Sequence, residues 1–146
     1  WNGDARLGDN LFTNSVLALH PETGELEWYF QFTPHDVWDY DATNGIVVAD
    51  VEFEGKTIRA LMQANRNGYV YTLDATSGKF LHAFQYTDRL NWSKGLDENG
   101  RPEVDPRYVP KAGGNKEFIC PGNVGGNNGS WSYFNNTILT ILSMTI

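Results

Sequence analysis

Three carboxylates fall within six residues of the segment Thr33-Pro34-His35-Asp36-Val37-Trp38-Asp39-Tyr40-Asp41. In an extended backbone Asp39 and Asp41 project to the same side, because side chains alternate with a period of two. Two carboxylates so placed repel each other unless a cation lies between them or one keeps its proton. The chemistry on offer is a hard-cation site, a general base beside a metal, or both. Spacing alone leaves an acidic surface loop open beside these readings. His20, His35, His82 and the single cysteine, Cys120, show no metal-ligand spacing, which argues against a structural zinc site.

The elements that must position this segment are strands. Ser15–Leu19, Glu25–Phe32, Gly45–Phe53, Thr57–Ala64, Gly68–Leu73 and Lys79–Tyr86 are rich in Val, Ile, Tyr and Phe and are bounded by turn residues. Glu54-Gly55 and Asn67-Gly68 are hairpin signals, since Gly accepts the positive φ that tight turns require. No window shows helical periodicity. Asn91–Pro121, with Pro102, Pro106, Pro110 and Pro121, is predicted to be a long ordered loop.

Composition bounds the rest. The 146 residues are 40% hydrophobic and 14% aromatic, enough to build a core. No apolar run is long enough to span a membrane as a helix, and no signal-peptide pattern is visible. Residues 1–54 hold eleven acids and one base, and the remainder holds seven acids and ten bases, so the two parts carry −10 and +3. The net charge of −7 argues against a nucleic-acid partner. The acidic part is a solvated face or a place for a cation.

Leu17–Phe32 aligns without gaps on Tyr71–Tyr86, 54 residues later. The shared frame is Leu-x-x-x-Thr/Ser-Gly followed by a strand ending Phe-Gln-Phe or Phe-Gln-Tyr. Between the two turns lie strands enough for one four-stranded sheet, the signature of a β-propeller blade. The predicted fold is all-β: residues 1–146 make two to three four-stranded antiparallel blades of a larger propeller, with Gly45–Tyr86 as one complete blade. Blades bury their faces against neighbours, so an isolated set would leave bare faces and edges.

Four segments together resemble the quinoprotein alcohol dehydrogenases, eight-bladed propellers that hold pyrroloquinoline quinone (PQQ) and a metal ion. Trp1–Asn10 is similar to the family's W-N-x-x-x-R-x-G-D-N stretch. Thr23-Gly24 through Trp28 is similar to its tryptophan-docking turn, Thr33–Asp41 to its T-P-H-D-x-W-D active-site segment, and Asn65–Gly68 to its R-N-G turn. Ile119-Cys120-Pro121 also fits. The likeness covers roughly residues 1–125. It implies that Asp39 is the catalytic base, taking the hydroxyl proton of a primary alcohol while hydride passes to PQQ under metal assistance. Arg66, 27 residues on, matches an arginine beside the quinone oxygens, where a cation would stabilise developing negative charge; a surface arginine flanking a hairpin is the plainer reading. Asp39 and Asp41 are the implied metal ligands. Calcium members often carry a small or hydroxylic residue where Asp41 stands, so Asp41 resembles the lanthanide-dependent members, and a trivalent ion gains more from an added carboxylate than Ca²⁺ does. Asp41 as a mere hydrogen-bond acceptor stays open.

The resemblance further implies a periplasmic location, a soluble cytochrome c as electron acceptor, a homodimeric parent, and a disulfide partner for Cys120 beyond Ile146. The family's remaining metal ligands, an Asn and a Glu, and the Trp that stacks on PQQ would lie upstream of Trp1. Trp1 and Trp38 are candidates to wall a substrate pocket or to pack between blades. The uncharged tail 134–146 departs from the family pattern. A non-catalytic propeller used for protein binding is the rival reading, and it gives no reason for Asp39, Asp41 and Arg66 to occur together.

Overall fold

A computed structural model describes residues 3–111, 113–115, 117–127, 132–135 and 140–143. Among these, strands dominate and no α-helix occurs. In chain order they are β1 (Ser15–Leu19), β2 (Leu26–Gln31), β3 (Val47–Phe53), β4 (Lys56–Ala64), β5 (Tyr69–Asp74), β6 (Phe80–Gln85), β7 (Ser93–Leu96), β8 (Pro102–Val104), β9 (Ser132–Asn135) and β10 (Thr140–Ser143). β3-β4-β5-β6 is one antiparallel four-stranded sheet, the blade expected over Gly45–Tyr86. β1–β2, β7–β8 and β9–β10 are separate hairpins. The predicted Asn91–Pro121 loop is thus part hairpin. Asp97 is the reason: its Oδ1 accepts from the N–H groups of Asn99 and Arg101, both at 2.8 Å, and so closes the turn between β7 and β8. Within the tail 134–146, residues 136–139 and 144–146 lie outside the described residues, as do Trp1 and Trp131.

The 54-residue repeat holds in atomic detail. Gly24 N–H donates to His20 O and Gly78 N–H to Asp74 O, each at 2.8 Å, with φ of +72° and +71° at the two glycines. His20 N–H donates to Glu25 O and Asp74 N–H to Lys79 O, again both at 2.8 Å. Even the irregularities correspond: the register shifts at Ala18/Leu19 in β1 and at Thr72/Leu73 in β5.

Two turns receive an aromatic ring from the preceding sheet, while nothing lies within 4 Å of a Cβ built on Gly24. A Cβ built on Gly78 would lie 2.5 Å from the Trp28 ring, and one on Gly100 would lie 2.3 Å from the Phe80 ring. Trp28 on β2 therefore docks onto the β5–β6 turn, and Phe80 on β6 onto the β7–β8 turn. His82, the repeat equivalent of Trp28, is exposed and does not dock. Gly78→Ala combines a left-handed backbone with a ring in the way. Such backbone strain costs about 1–2 kcal/mol and overpacking about 1–3 kcal/mol. Thermal denaturation should show a destabilisation of about 2–5 kcal/mol; an unchanged midpoint would mean that the ring does not rest on this turn.

The core runs between the sheets. Phe30 of β2 lies 5.8 Å from Tyr71 of β5, and Phe32 lies 4.9 Å from the same ring. Trp38, Tyr40 and Trp92 form a second aromatic group, with Trp38 stacked on Tyr40 at 5.9 Å and tilted against Trp92 at 4.9 Å.

Candidate functional site

Asp36 organises the acidic segment. It is 7% exposed, and its two carboxylate oxygens accept from Trp38 N–H at 2.9 Å and Tyr40 N–H at 2.8 Å. The chain winds round this carboxylate instead of running extended, with positive φ at His35 (+50°) and Asp39 (+70°). The alternation argument for Asp39 and Asp41 therefore does not describe this segment. The turn leaves Asp36, Asp39 and Asp41 on the wall of one open recess of about 410 Å³, together with Arg6, Thr13 and Asn14. A non-glycine residue at φ +70° is strained, and strain of this kind collects at sites where surroundings dictate the geometry. The stacked Trp38 and Tyr40 hold both flanks of Asp39. Trp38 Nε1–H donates to Tyr108 O at 2.8 Å, and the Tyr40 hydroxyl donates to Pro121 O.

Burial pushes the Asp36 carboxyl above its ordinary range. Its two N–H donors oppose this, and the charges of Asp41 and Asp39 add to it. The folded state therefore keeps this proton to higher pH than the unfolded chain does. Between the two values the unfolded chain binds fewer protons, so Asp36's contribution to stability falls as pH rises from about 4 through the raised value, then levels off. The difference in thermal midpoint between the native protein and Asp36→Asn should decline over that window. A difference that is flat or rises with pH would show that Asp36 does not titrate in this way.

Arg6, 30 residues from Asp36 in the chain, reaches the recess and is anchored by Nη1–H to Asn10 Oδ1 at 2.7 Å and Nη2–H to Asp36 O at 3.0 Å. Asn14, at φ +41°, is 6% exposed and joins the recess to a buried polar network. Its amide donates to Thr33 Oγ1 at 2.7 Å and Asn65 Oδ1 at 3.1 Å, and its Oδ1 accepts from Asn65 Nδ2 at 3.0 Å. Asn67 continues the network to Phe32 O, Thr33 Oγ1 and the Tyr71 hydroxyl, at 3.1, 3.1 and 2.9 Å. Buried amides this well satisfied hold a single geometry. The Asn-Arg-Asn-Gly turn between β4 and β5 is thereby locked to Thr33, at the head of the acidic segment.

Arg66 lies in that turn and reaches the acidic segment at its backbone. Its Nη1–H donates to the backbone carbonyl of Asp41 at 3.0 Å and its Nη2–H to that of Asn123. Its Nε is buried with no partner among the described residues, so one N–H of this cation is left over. Asp39 and Asp41 thus share a wall, while Arg66 meets them through the Asp41 backbone. Among the described residues no group of three or more His, Cys, Asp or Glu is arranged to hold a metal. Asp39 and Asp41 supply hard oxygen donors of the type that Ca²⁺ and lanthanides take, with the remaining ligands to come from elsewhere. The sequence reading gave no role to Asp36, Arg6 or Asn14. No sequence signal separates Asp36 from its neighbours: Asp favours Asx-turns wherever backbone N–H groups follow, and which of the three carboxylates becomes buried depends on tertiary packing.

A separate recess has a volume of about 200 Å³. Val37, Trp38 and Tyr40 line it with Pro110, Ile119 and Pro121. Trp38 therefore both packs in the aromatic core and faces a mostly apolar hollow.

A family profile described as glucose/ethanol/alcohol dehydrogenase, β-propeller domain, under the label PQQ, matches residues 1–89. The chain is 41% identical over 133 residues to the quinoprotein alcohol dehydrogenase PedH of Pseudomonas putida, covering 88% of this chain and 22% of that protein. It is 37% identical over 134 residues to the lanthanide-dependent methanol dehydrogenase of Methylorubrum extorquens, covering 86% and 22%. Among solved structures, a europium-containing methanol dehydrogenase superimposes with a TM-score of 0.90 at 33% identity, over 97% of this chain and 25% of that one. The quinohemoprotein alcohol dehydrogenase of Comamonas testosteroni superimposes with a TM-score of 0.84 at 34% identity, over 91% and 19%. The chain spans about a fifth of the length of these curated relatives.

Proposed function

Because this chain belongs to the PQQ-type glucose/ethanol/alcohol dehydrogenase β-propeller family, we propose that it is part of a quinoprotein dehydrogenase acting on primary alcohols, and that Asp39, Asp41 and Arg66 are its contribution to the active site. The observation that carries this reading is the recess on which Asp39 and Asp41 converge, backed by an arginine tied to the Asp41 carbonyl.

When bound, PQQ supplies the two-electron acceptor and its metal the Lewis acid that polarises it. The chain's own residues do the rest. The Asp39 carboxylate takes the alcohol's hydroxyl proton. The turn around Asp36 fixes where that carboxylate stands. Asp39 and Asp41 offer oxygen ligands to a calcium or lanthanide ion. Arg66 holds a positive charge beside the Asp41 backbone, where it opposes the build-up of negative charge. Trp38 and Tyr40 shield the flank of Asp39 from water, which strengthens these electrostatic interactions. A soluble cytochrome c as acceptor, a periplasmic location and a homodimeric assembly complete the proposal.

The test is reconstitution of the dehydrogenase carrying these blades with PQQ plus La³⁺ or Ca²⁺, and measurement of alcohol-dependent cytochrome c reduction. Turnover that requires both PQQ and the metal is the expected result. A folded protein that binds PQQ and shows no turnover with any primary alcohol would favour the scaffold reading.

A further inference from the structure

The segment Pro121–Asn127 touches the candidate site through Arg66, and it does so from three directions. Arg66 Nη2–H donates to Asn123 O. Gly126 N–H donates to Arg66 O at 2.9 Å. Gly125, at φ +74°, lies against the Arg66 backbone so closely that an added Cβ would meet Arg66 Cβ at 2.6 Å, O at 2.8 Å and Cα at 2.9 Å. Two of those three atoms are backbone, so no side-chain rotation relieves the contact. The loop is itself pinned: Gly125 N–H donates to Gly122 O at 2.8 Å, and Pro121 O accepts from the Tyr40 hydroxyl. Tyr40 follows Asp39, and Arg66 donates to Asp41 O. The loop therefore holds the Asp39–Asp41 segment at two points, through Tyr40 directly and through Arg66.

We infer that the loop Pro121–Asn127 is a positioning element for the active site, and that Gly125 is a positioning residue that sets the Arg66 guanidinium relative to Asp39 and Asp41. This rests on the role proposed above for Arg66. Only glycine meets both conditions at position 125, a left-handed φ and close contact with another backbone. Displacement of a reacting group by about 1 Å is enough to cost about 10²-fold in rate, and a Cβ at Gly125 forces a shift of that order in Arg66.

The experiment compares Gly125→Ala, Arg66→Ala, the double variant and Gly55→Ala in the dehydrogenase carrying these blades, loaded with PQQ and La³⁺. Gly55 has the same φ of +74° with nothing within 4 Å, so its alanine variant reports backbone strain alone. The readouts are kcat, KM for ethanol, the visible absorption band of bound PQQ, and PQQ affinity by quenching of tryptophan fluorescence. Gly125→Ala should lower kcat by about 10–100-fold, leave KM within about twofold, and shift the absorption band in the same direction as Arg66→Ala. Gly55→Ala should change neither band nor kcat. In the Arg66→Ala background Gly125→Ala should add less than about twofold, because residues acting through one group are not additive. If Arg66→Ala leaves kcat, band and affinity unchanged, the role of Arg66 is wrong and the inference falls with it. If Arg66→Ala has its effect and Gly125→Ala matches Gly55→Ala, the role of Arg66 stands and the inference about the loop is overturned. Should Gly125→Ala not fold, Asn123→Gly tests the same point, since it keeps the carbonyl that Arg66 uses and loosens the loop. A drop in kcat with the band shift supports positioning, and native values for both overturn it.

Discussion

Asp39→Asn is expected to lower turnover of the reconstituted dehydrogenase by about 10²–10⁴-fold, the usual worth of a positioned general base. The substitution suits the question because it changes little else. Asn has the shape of Asp and, like Asp, is one of the few residues that tolerate a positive φ, so the +70° at this position adds no new strain. The two bonds that shape the turn belong to Asp36, at 2.9 and 2.8 Å, and they are untouched. The Trp38–Tyr40 stack around the site should also persist. Near-ultraviolet circular dichroism and the thermal midpoint should therefore match the native protein while kcat falls. Because Asp39 is also a proposed metal ligand, the assay is run at saturating metal and PQQ. Comparable turnover in the two proteins under those conditions would remove Asp39 from the role of base.

Asp41→Ala should abolish most activation by a light lanthanide and leave calcium activation largely in place. Coulomb attraction scales with the product of the charges, so removal of one carboxylate costs a trivalent ion half as much again as a divalent one at the same distance. It also removes a ligand from the ion with the larger coordination demand. The structure makes this a clean substitution in another respect. Arg66 is held by the backbone carbonyl of Asp41, not by its carboxylate, so alanine keeps that contact. The side chain is exposed on the recess, and its loss opens no hole in the core. The measurement is alcohol oxidation by native and variant proteins, each reconstituted with PQQ and either La³⁺ or Ca²⁺. A native protein that responds to Ca²⁺ alone, or a variant that loses both responses equally, would sink the lanthanide reading of Asp41.

The strands, the blade and the docking turns were legible in the sequence because their causes are local. Alternating Val, Ile, Tyr and Phe, bounded by Gly and Asn, dictates strands over a few residues. The repeat then reproduces both the turn hydrogen bonds at Gly24 and Gly78 and the register shifts in β1 and β5. The acidic segment was legible as chemistry, though not as geometry. Asp39 and Asp41 line one recess because a buried carboxylate at Asp36 reels in two backbone N–H groups, a turn that competes with extended backbone once its surroundings bury it. What only the tertiary structure decided involves partners far apart in the chain. Arg6 joins Asp36 across 30 residues, and Arg66 joins Asn123 across 57. Phe80 and not His82 docks on the next turn, because the ring that reaches Gly100 depends on how two sheets stack. Periodicity reports which face of a strand is apolar; it carries no information about which other strand that face meets, and the packing of whole sheets supplies that choice.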